Sequence, residues 1–490
     1  MPTCVISGAG RVLLLVDNIA KEVLGSSLQK LPAKVVSADK NNIRNIVFEH
    51  VSRGEKVVAL YDGAWSEYWS VRKTIEAHGD NWLLYTPIDL LELRVSPPEL
   101  SGIGLVAAKL SLAMTSKAPR APKIFTTRKA ATRRSLLNPV RGLSYFVAAP
   151  VLLDAQACAI QRHCHLCVDS CPRNALEGKP PGLDPYACTS CGICTWSCPY
   201  GLLSMPGLEV EGFSYFLDRI SKDVSYPYHL LITCSTALPS LREALLRENI
   251  RPTVVVPVEC PGWFTEKHHL LALKHGVHPV VYCPGNTVAQ CDNTPSPLVE
   301  GLPGTYTESL GKALESLRKV PPIKPVEVKE GKKIPLLHAL MDAYGVSRAK
   351  LRGPLIGVVR VDTSKCMVCE ACSSMCPYGA LRLVVEGDEI RLVFEHSKCE
   401  ACLACVDACP YGAIKVEFEY DSEKYGKETV LARDEVARCI RCGAPLGSMK
   451  MMRHLEKTLR EKGMPEWVIR QLWLCPKCKL YGLPRDAKPP

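Results

Sequence analysis

The sequence predicts an α/β multidomain chain in which parallel-sheet α/β domains are interleaved with two small cysteine-rich α+β modules, followed by a C-terminal metal knuckle. Three observations support this prediction. Apolar strand-like segments alternate with helical patterns at the N-terminus and again after residue 226, as in βαβ units. Twenty-four of the 25 cysteines fall into regular groups. The chain of 490 residues is long enough to form several cores.

Residues 1–116 have the pattern of a Rossmann-like domain with a parallel sheet. The predicted strands are Arg11–Val16, Lys34–Ala38, Val57–Tyr61 and Trp82–Tyr85. Asp17, Asp39 and Asp62 each follow a strand, where acidic residues either line a ligand site or, more often, cap the next helix. Gly8-Ala9-Gly10 precedes the first strand, so it is not a dinucleotide-binding fingerprint. Binding of a nucleotide or flavin by this domain remains open.

Two cysteine runs in the second half have identical spacing and predict paired iron–sulfur clusters. The runs are Cys366, Cys369, Cys372, Cys376-Pro377 and Cys399, Cys402, Cys405, Cys409-Pro410. In such runs three thiolates hold one 4Fe-4S cube, while the fourth cysteine, followed by proline, ligates the other cube. Residues 354–420 are therefore predicted to be a bacterial-type dicluster ferredoxin module. Its predicted ligand sets are site III (Cys366, Cys369, Cys372, Cys409) and site IV (Cys399, Cys402, Cys405, Cys376).

A looser form of the same signature predicts a first dicluster module at residues 151–210. Its ligand sets are site I (Cys158, Cys164, Cys167, Cys198) and site II (Cys188, Cys191, Cys194, Cys171). The separation between Cys158 and Cys164 is larger than in a regular run, so this loop must bulge. His163 or His165 could replace Cys158 as a ligand. We favour Cys158, and the sequence thus predicts four 4Fe-4S clusters.

Residues 226–319 return to βαβ patterning and predict a further thiolate site. The predicted strands are His229–Thr233, Thr253–Val258 and Pro279–Tyr282, with helices around Leu241–Arg247 and Thr265–His275. Cys234, Cys260 and Cys283 each lie at the carboxyl end of a strand, and these ends share one edge of a parallel sheet. Cys291 can reach that edge from the following loop. These four cysteines form site V, for which 2Fe-2S is favoured over zinc because the neighbouring modules are redox-active.

This domain resembles the delta subunit of the methyl-viologen-reducing hydrogenase. The matching segments are Val256-Pro257-Val258-Glu259-Cys260, Leu273-Lys274-His275-Gly276-Val277 and Val280-Val281-Tyr282-Cys283-Pro284-Gly285. Members of that family link hydrogenase to heterodisulfide reductase through a 2Fe-2S centre. The resemblance therefore implies redox protein subunits of the hydrogenase or heterodisulfide-reductase type as partners.

The C-terminal segment, residues 421–490, is predicted to form a zinc-ribbon-like tail. Ile414–Glu419 and Glu428–Leu431 suggest a hairpin before it. Site VI is Cys439, Cys442, Cys475 and Cys478. Two knuckles of two thiolates each make the closed tetrahedral site that structural zinc prefers, with a fifth iron–sulfur cluster as the alternative. In its position after a dicluster unit, the tail is similar to those of ferredoxin-type subunits of formate hydrogenlyase and related hydrogenases.

The formal net charge of +11 would ordinarily suggest an acidic partner. Each oxidised 4Fe-4S centre with four thiolates carries about −2, however, so the basic excess largely balances the clusters. Residues 117–150 form a basic linker that carries no recognised nucleic-acid-binding fold, and residues 320–353 form a second linker. We therefore expect no nucleic-acid partner. Thiols grouped as metal ligands favour a reducing cytoplasm, and no transmembrane segment is evident, although a peripheral membrane complex stays open.

These observations predict an iron–sulfur electron-transfer subunit that passes single electrons between a redox enzyme and another carrier. No catalytic residue set is evident, so the chain is expected to be a non-catalytic component of an oxidoreductase complex. Two alternatives remain: a self-contained flavin- or nucleotide-dependent oxidoreductase, and a redox-sensing regulator that uses the basic linker.

Overall fold

The computed structural model describes most of the chain in sixteen stretches. These are residues 12–39, 42–53, 55–63, 88–116, 150–160, 164–184, 187–224, 228–234, 237–248, 250, 253–285, 296, 298–319, 323, 325–326 and 333–480. The chain divides into two units, of which the first comprises residues 1–331 and 339–344 and the second residues 332–338 and 345–490. The predicted strand at Trp82–Tyr85, most of the basic linker and Cys291 lie outside the described residues.

A four-stranded parallel sheet opens the first unit. Its strands are β1 (Val12–Val16), β2 (Lys34–Ser37), β3 (Lys56–Tyr61) and β4 (Ile88–Asp89), in the order β2-β1-β3-β4. Its helices are α1 (Asn18–Leu24), α2 (Ile43–Ser52), α3 (Leu90–Val95) and α4 (Gly102–Thr115), with a 3₁₀ helix at Gly25–Lys30. Every residue of β1 and β3 is buried, which explains why both strands are almost purely apolar.

Two of the aspartates that follow strands are helix caps. The Asp17 side chain accepts a hydrogen bond from Ala20 N at 2.7 Å at the start of α1. The Asp39 side chain accepts one from Asn42 N at 2.9 Å just before α2. The capping interpretation is confirmed for both residues, because each carboxylate satisfies a backbone donor that the first helical turn leaves unpaired.

The next part of the first unit is built from short elements. They are β5 (Val151–Leu152), α5 (Ala155–Ile160), α6 (Leu166–Asp169), β6 (Leu176–Glu177), β7 (Gly182–Leu183), α7 (Ile193–Trp196) and β8 (Leu203–Ser204). The outer strands β5 and β8 pair antiparallel, and β6 and β7 form an inner antiparallel pair. These short strands and helices form few backbone hydrogen bonds. The fold of this part therefore depends on the groups that its cysteine-rich loops enclose.

A second parallel sheet completes the first unit. Its strands are β9 (His229–Cys234), β10 (Thr253–Val258), β11 (His278–Tyr282) and β12 (Thr305–Thr307), in the order β10-β9-β11-β12. Its helices are α8 (Val210–Ser221), α9 (Leu238–Glu248), α10 (Glu266–Lys274) and α11 (Leu310–Arg318), with a 3₁₀ helix at Pro261–Trp263. The three predicted strands are confirmed, and the order of strands repeats that of the first sheet.

Helix α4 of the first sheet packs into the core of the second sheet. Leu105 of α4 and Phe213 of α8 are fully buried in one apolar cluster with residues of β9 and β10. The two helices approach closely at Gly212, where an added Cβ atom would lie 2.3 Å from Thr115 Oγ1. The segments predicted as separate domains at residues 1–116 and 226–319 therefore pack as one body.

Arg242 of α9 links the two sheets electrostatically. Its guanidinium pairs with Asp89 Oδ1 at 2.9 Å and with Asp62 Oδ1 at 2.8 Å. Asp89 is fully buried, so its charge needs a partner of this kind. Asp62, the third aspartate that follows a strand, is thus part of an ion-pair bridge.

The described strands of the second unit form three sheets, two of two strands and one of four. They are β13 (Arg348–Lys350), β14 (Val358–Val361), β15 (Leu381–Glu386), β16 (Glu389–Glu395), β17 (Ile414–Glu417), β18 (Glu419–Asp421), β19 (Glu428–Arg438) and β20 (Pro445–Ser448). Its helices are α12 (Lys333–Ala343, divided between the units), α13 (Ala371–Ser374), α14 (Ala404–Asp407), α15 (Met449–Glu461), α16 (Glu466–Gln471) and α17 (Pro476–Lys479), with a 3₁₀ helix at His396–Lys398. All the pairs are antiparallel.

The hairpin predicted between residues 414 and 431 is wrong. Its strands exist, but β17 pairs with β14, β18 pairs with β13, and β19 pairs with β16 and β20. β19 instead pairs with β16, which already carries a buried face. The predicted boundary between residues 420 and 421 therefore falls inside one unit, because β19 extends the sheet of β15 and β16. Among the described residues, no helix combines the length and apolar character needed to cross a bilayer.

Two buried histidines of α10 are held in their neutral form. His268 Nδ1 accepts from Thr265 N at 3.0 Å, and His269 Nδ1 accepts from Val299 N at 2.8 Å. Their Nε2 atoms contact the carbonyl oxygens of Leu208 and Pro303 at 3.0 and 2.7 Å. Burial lowers the pKa of both side chains from 6.5 to about 4. A proton on Nδ1 would break the bond from the backbone N–H group.

These histidines predict acid sensitivity of the first unit. Because their folded pKa is depressed, their contribution to stability is complete above pH 6.5 and is lost as the pH falls toward 4. Each can steepen the loss by up to about 1.4 kcal/mol per pH unit. Thermal unfolding followed by circular dichroism at about pH 7.5 and about pH 5 tests this. The double variant His268→Asn/His269→Asn should have a smaller difference between the two pH values than wild type or the exposed-site control His454→Gln. An equal difference in all three proteins would contradict the assignment.

Candidate metal-cluster sites

The second unit brings the eight cysteines of its regular runs together around two cavities. One cavity is lined by all four cysteines of site III, and the other by all four of site IV. Pairing of β14 with β17 places the two halves of the module side by side. Each cavity thus receives three cysteines from one half and the fourth from the other half.

The environment of these thiols disfavours the thiolate form unless a cation is bound. Burial, followed by the neighbouring thiols, raises the pKa of Cys372 to about 12. Burial likewise raises the pKa of Cys399 to about 12, although backbone N–H groups act in the opposite direction. Cationic iron in the cavity offsets both effects, since a coordinated thiol is deprotonated outright. The donor set and the cavity therefore fit a 4Fe-4S cluster at each site.

The backbone around the second cysteine of each regular run alternates in handedness. The left-handed residues are Ser190 and Gly192, Val368 and Glu370, and Ala401 and Leu403, with φ between 49° and 77°. Each pair flanks the second cysteine of its run. Such alternation turns backbone N–H groups inward to form a concavity for an anion, which is the charge type of a thiolate-bound cluster. Five of these six residues are not glycine, so residue type alone does not predict their left-handed conformation. Their positions on either side of the second cysteine would have predicted it.

Backbone donors also reach the fourth cysteines. Cys409 Sγ accepts a hydrogen bond from Ala413 N at 3.3 Å, and Cys198 Sγ accepts one from Leu202 N at 3.2 Å. Cys171 Sγ accepts from a residue at the same offset, Ala175, at 3.2 Å. Hydrogen bonds to cluster sulfurs raise the reduction potential. Three of the four sites in the two modules thus have the same backbone hydrogen bond to the fourth cysteine.

The first module repeats this arrangement. One cavity is lined by the four cysteines of site I, and another by the four of site II. Its strand pairing, β5 with β8 and β6 with β7, matches that of β14 with β17 and β15 with β16. In both modules the third cysteine of every run lies in a one-turn helix.

Cys158 reaches site I from a helix instead of a loop. It lies in α5, which begins after Asp154, whose side chain accepts a hydrogen bond from Ala157 N at 2.8 Å. The helix takes up the extra residues of the irregular run, and Cys158 is buried at the cavity wall. His165 is exposed and is not among the cavity-lining residues, while His163 lies outside the described residues. The geometry favours Cys158 as the ligand.

Site V lies at the carboxyl edge of the second sheet. Cys234 ends β9, Cys260 follows β10 by two residues, and Cys283 directly follows β11. The Tyr306 hydroxyl hydrogen-bonds to Cys283, and burial, followed by nearby groups that include Cys283 and Cys260, raises the pKa of Tyr306. Burial, followed by the thiols of Cys234 and Cys283, likewise raises the pKa of Tyr282. Three thiols distant in sequence thus share one region, as the order β10-β9-β11 requires. The fourth predicted ligand, Cys291, lies outside the described residues.

Site VI is a much tighter group. Its four Sγ atoms all lie within 4.8 Å of one another, and those of Cys442 and Cys475 are 3.7 Å apart. Cys475 N donates to Cys439 Sγ at 3.3 Å. Burial raises the pKa of Cys439, but backbone N–H groups outweigh this and lower it to about 6. Tetrahedral zinc with Zn–S bonds of about 2.3 Å sets sulfurs about 3.8 Å apart, so the group fits a single zinc ion.

The tail that carries site VI contacts the site III loop. Ser448, which caps α15, is fully buried and its hydroxyl donates to Met367 O, one residue after Cys366. His454 of α15 packs edge to face on Tyr411, with 5.5 Å between ring centroids. Tyr411 also lines the site III cavity. The tail therefore covers part of the wall of that cavity.

The cavity linings predict the effect of substituting the fourth cysteine of each regular run. Cys376→Ser should remove the site IV cluster, because Cys376 lines the cavity with Cys399, Cys402 and Cys405. The matched control Cys409→Ser should remove the site III cluster instead. Each variant should lose about four irons, and their electron paramagnetic resonance spectra should be complementary. Identical residual spectra in the two variants would show that the ligands are not exchanged between halves.

Residues 365–413 match the family described as the 4Fe-4S dicluster domain. The matched segment contains all eight cysteines of sites III and IV. No curated protein matches the chain. The chain thus contains a ferredoxin-type 4Fe-4S dicluster domain and is an iron–sulfur protein.

Proposed function

We propose that the protein is an electron-transfer subunit that carries single electrons through two dicluster modules. The observation that carries this proposal is the set of four similar cavities, each lined by four cysteines, in two modules with the same strand pairing. A bound 4Fe-4S cluster supplies one-electron redox chemistry without any change in bonding to substrate. Four such clusters, at sites I to IV, form two close pairs.

The chain contributes burial and hydrogen bonding. Val359, Leu381 and Phe394 form an apolar wall beside site IV, which excludes water from the sulfurs. Backbone N–H groups supply hydrogen bonds to the sulfurs of Cys171, Cys198 and Cys409. Both factors set cluster potentials, because they decide how well the added negative charge is stabilised.

Site V supports a wider redox context. Three thiols at the carboxyl edge of a parallel sheet suit a 2Fe-2S centre, which a redox-active neighbourhood favours over zinc. This centre and the resemblance to the hydrogenase delta subunit favour a hydrogenase or heterodisulfide-reductase-like enzyme as one partner. Anaerobic purification of the native complex, with identification of the associated subunits, tests the partner separately from the clusters.

Site VI is proposed to hold structural zinc. A closed set of four thiolates leaves no open coordination position, and zinc has no redox chemistry. The ion would fix the tail in which Ser448 and His454 contact the site III region.

Metal content is the direct test of the electron-transfer proposal. Four 4Fe-4S clusters and one 2Fe-2S centre require about 18 irons per chain, with an equal amount of acid-labile sulfide. Anaerobically reconstituted protein should approach this value and should be reducible by single electrons in a redox titration. Fewer than about eight irons per chain in fully reconstituted protein would show that the two modules do not both hold clusters.

Zinc at site VI predicts a selective effect of Cys475→Ser. The variant should lose about one zinc per chain and the tail should be destabilised, because the knuckles are no longer crosslinked. Iron content and cluster signals should persist. Metal analysis and paramagnetic resonance of the same sample check both expectations. A reducible signal that disappears with this substitution would instead make the tail a further iron–sulfur centre.

A further inference from the structure

The loop that carries Cys260 of site V packs directly on the cysteine loop of site II. Trp196 Nε1 donates a hydrogen bond to Gly262 O at 2.7 Å, and Trp263 Nε1 donates one to Ser190 O at 2.7 Å. Each loop thus provides an indole donor to a carbonyl of the other. Both indoles are more than nine-tenths buried, so breaking either bond would leave a buried polar group without a partner.

Glycine permits the close approach of the two backbones. Gly192, which lies between Cys191 and Cys194, has φ of 77°. A Cβ atom there would lie 3.0 Å from Gly262 O and 3.0 Å from Trp263 Cδ1. Any other residue at this position would therefore strain the backbone and push the loops apart.

Only a few residues of the chain separate this contact from the cysteines of the two sites. Gly192 directly follows Cys191, and Gly262 follows Cys260 by one intervening residue. With consecutive Cα atoms about 3.8 Å apart, the Cα atoms of Cys191 and Cys260 are at most roughly 18 Å apart. The two reciprocal hydrogen bonds cross this gap and the surrounding side chains exclude water. Ser190, Gly192, Trp196, Gly262 and Trp263 are all buried; we call this group the indole junction.

We propose that the indole junction is the electron path between site II and site V, with Gly192, Trp196 and Trp263 as positioning residues. The inference rests on the proposed function, because it needs a cluster at site II and a redox centre held by Cys234, Cys260 and Cys283. With clusters bound at both sites, one electron would leave one centre, oxidising it by one unit, and would reduce the other by one unit. No bond forms or breaks and no proton is required. The junction fixes the separation of the two centres, and electron transfer weakens steeply as that separation grows.

The test compares two junction variants with a matched control in the full-length, anaerobically reconstituted protein. Trp196→Phe/Trp263→Phe removes both indole donors but keeps aromatic packing, and Gly192→Ala separates the backbones. Trp467→Phe is the control, since Trp467 is 59% exposed and lies in the other unit. The readouts are iron and sulfide content, and the spin-relaxation rate of the site V signal with the site II cluster oxidised and reduced. A Cys260→Ser variant assigns the site V signal.

In wild type and Trp467→Phe, reduction of site II should accelerate spin relaxation at site V. Both junction variants should keep their iron and lose most of this acceleration, and freeze-quench experiments should show slower electron arrival at site V. Unchanged relaxation in both variants, or no acceleration in wild type, would overturn the proposed path while leaving the clusters in place. If Cys260→Ser removed neither iron nor a signal, the redox centre at site V would itself be refuted, and the junction with it.

Discussion

The exchange of one cysteine between the halves of each module is the constraint on which the rest of the structure depends. Cys376 belongs to the half that carries most of site III but lines site IV, and Cys409 does the reverse. Neither half can complete a four-thiolate site alone, so the pairing of β14 with β17 and the filling of both cavities must be coupled. Burial raises the pKa of Cys372 and Cys399 to about 12, so four thiolates would not gather in these cavities without a cation. Metal binding and folding of such a module are therefore one process.

Sequence spacing predicted those features in which ligand chemistry dictates local structure. The ligand sets of sites I to IV follow from the runs, and the strand ends of site V follow from apolar segments that end in cysteine. The predictions from sequence are wrong where contacts between distant residues decide which strands pair. The apolar pattern of β17 and β19 is the same whether they pair with each other or with β14 and β16, so only the closure of the whole module selects the partners. Trp263 looks like any core residue in the sequence, because its partner Ser190 is 73 positions away.

Two ways of grouping thiols occur in one chain. At sites I to IV the sulfurs line cavities together with apolar side chains, whereas at site VI the four sulfurs converge to within 4.8 Å of one another. At sites III and IV left-handed residues lie on both sides of the second cysteine, Cys369 or Cys402, whereas at the site VI knuckle one left-handed residue, Gly443, follows Cys442 and its N–H donates to Cys439 O at 2.8 Å. Under the proposed assignments, a cysteine loop with the first pattern would hold an electron carrier and one with the second a structural ion.

The charges around the cavities of the two modules differ, and with the proposed clusters bound they would favour an added electron to different extents. Reduction adds negative charge to a buried cluster, so nearby cations favour it and nearby anions oppose it. At site I, Lys179 lines the cavity and its ammonium donates to Cys164 O at 2.6 Å. At site IV, Glu400 lines the cavity instead, and the Lys333 ammonium, 2.8 Å from its carboxylate, offsets part of its charge. On this electrostatic ground the reduced state of the proposed clusters would be stabilised more at site I than at site IV. An electron received by the first module would then have site V, beyond the indole junction, as its next acceptor within the same unit.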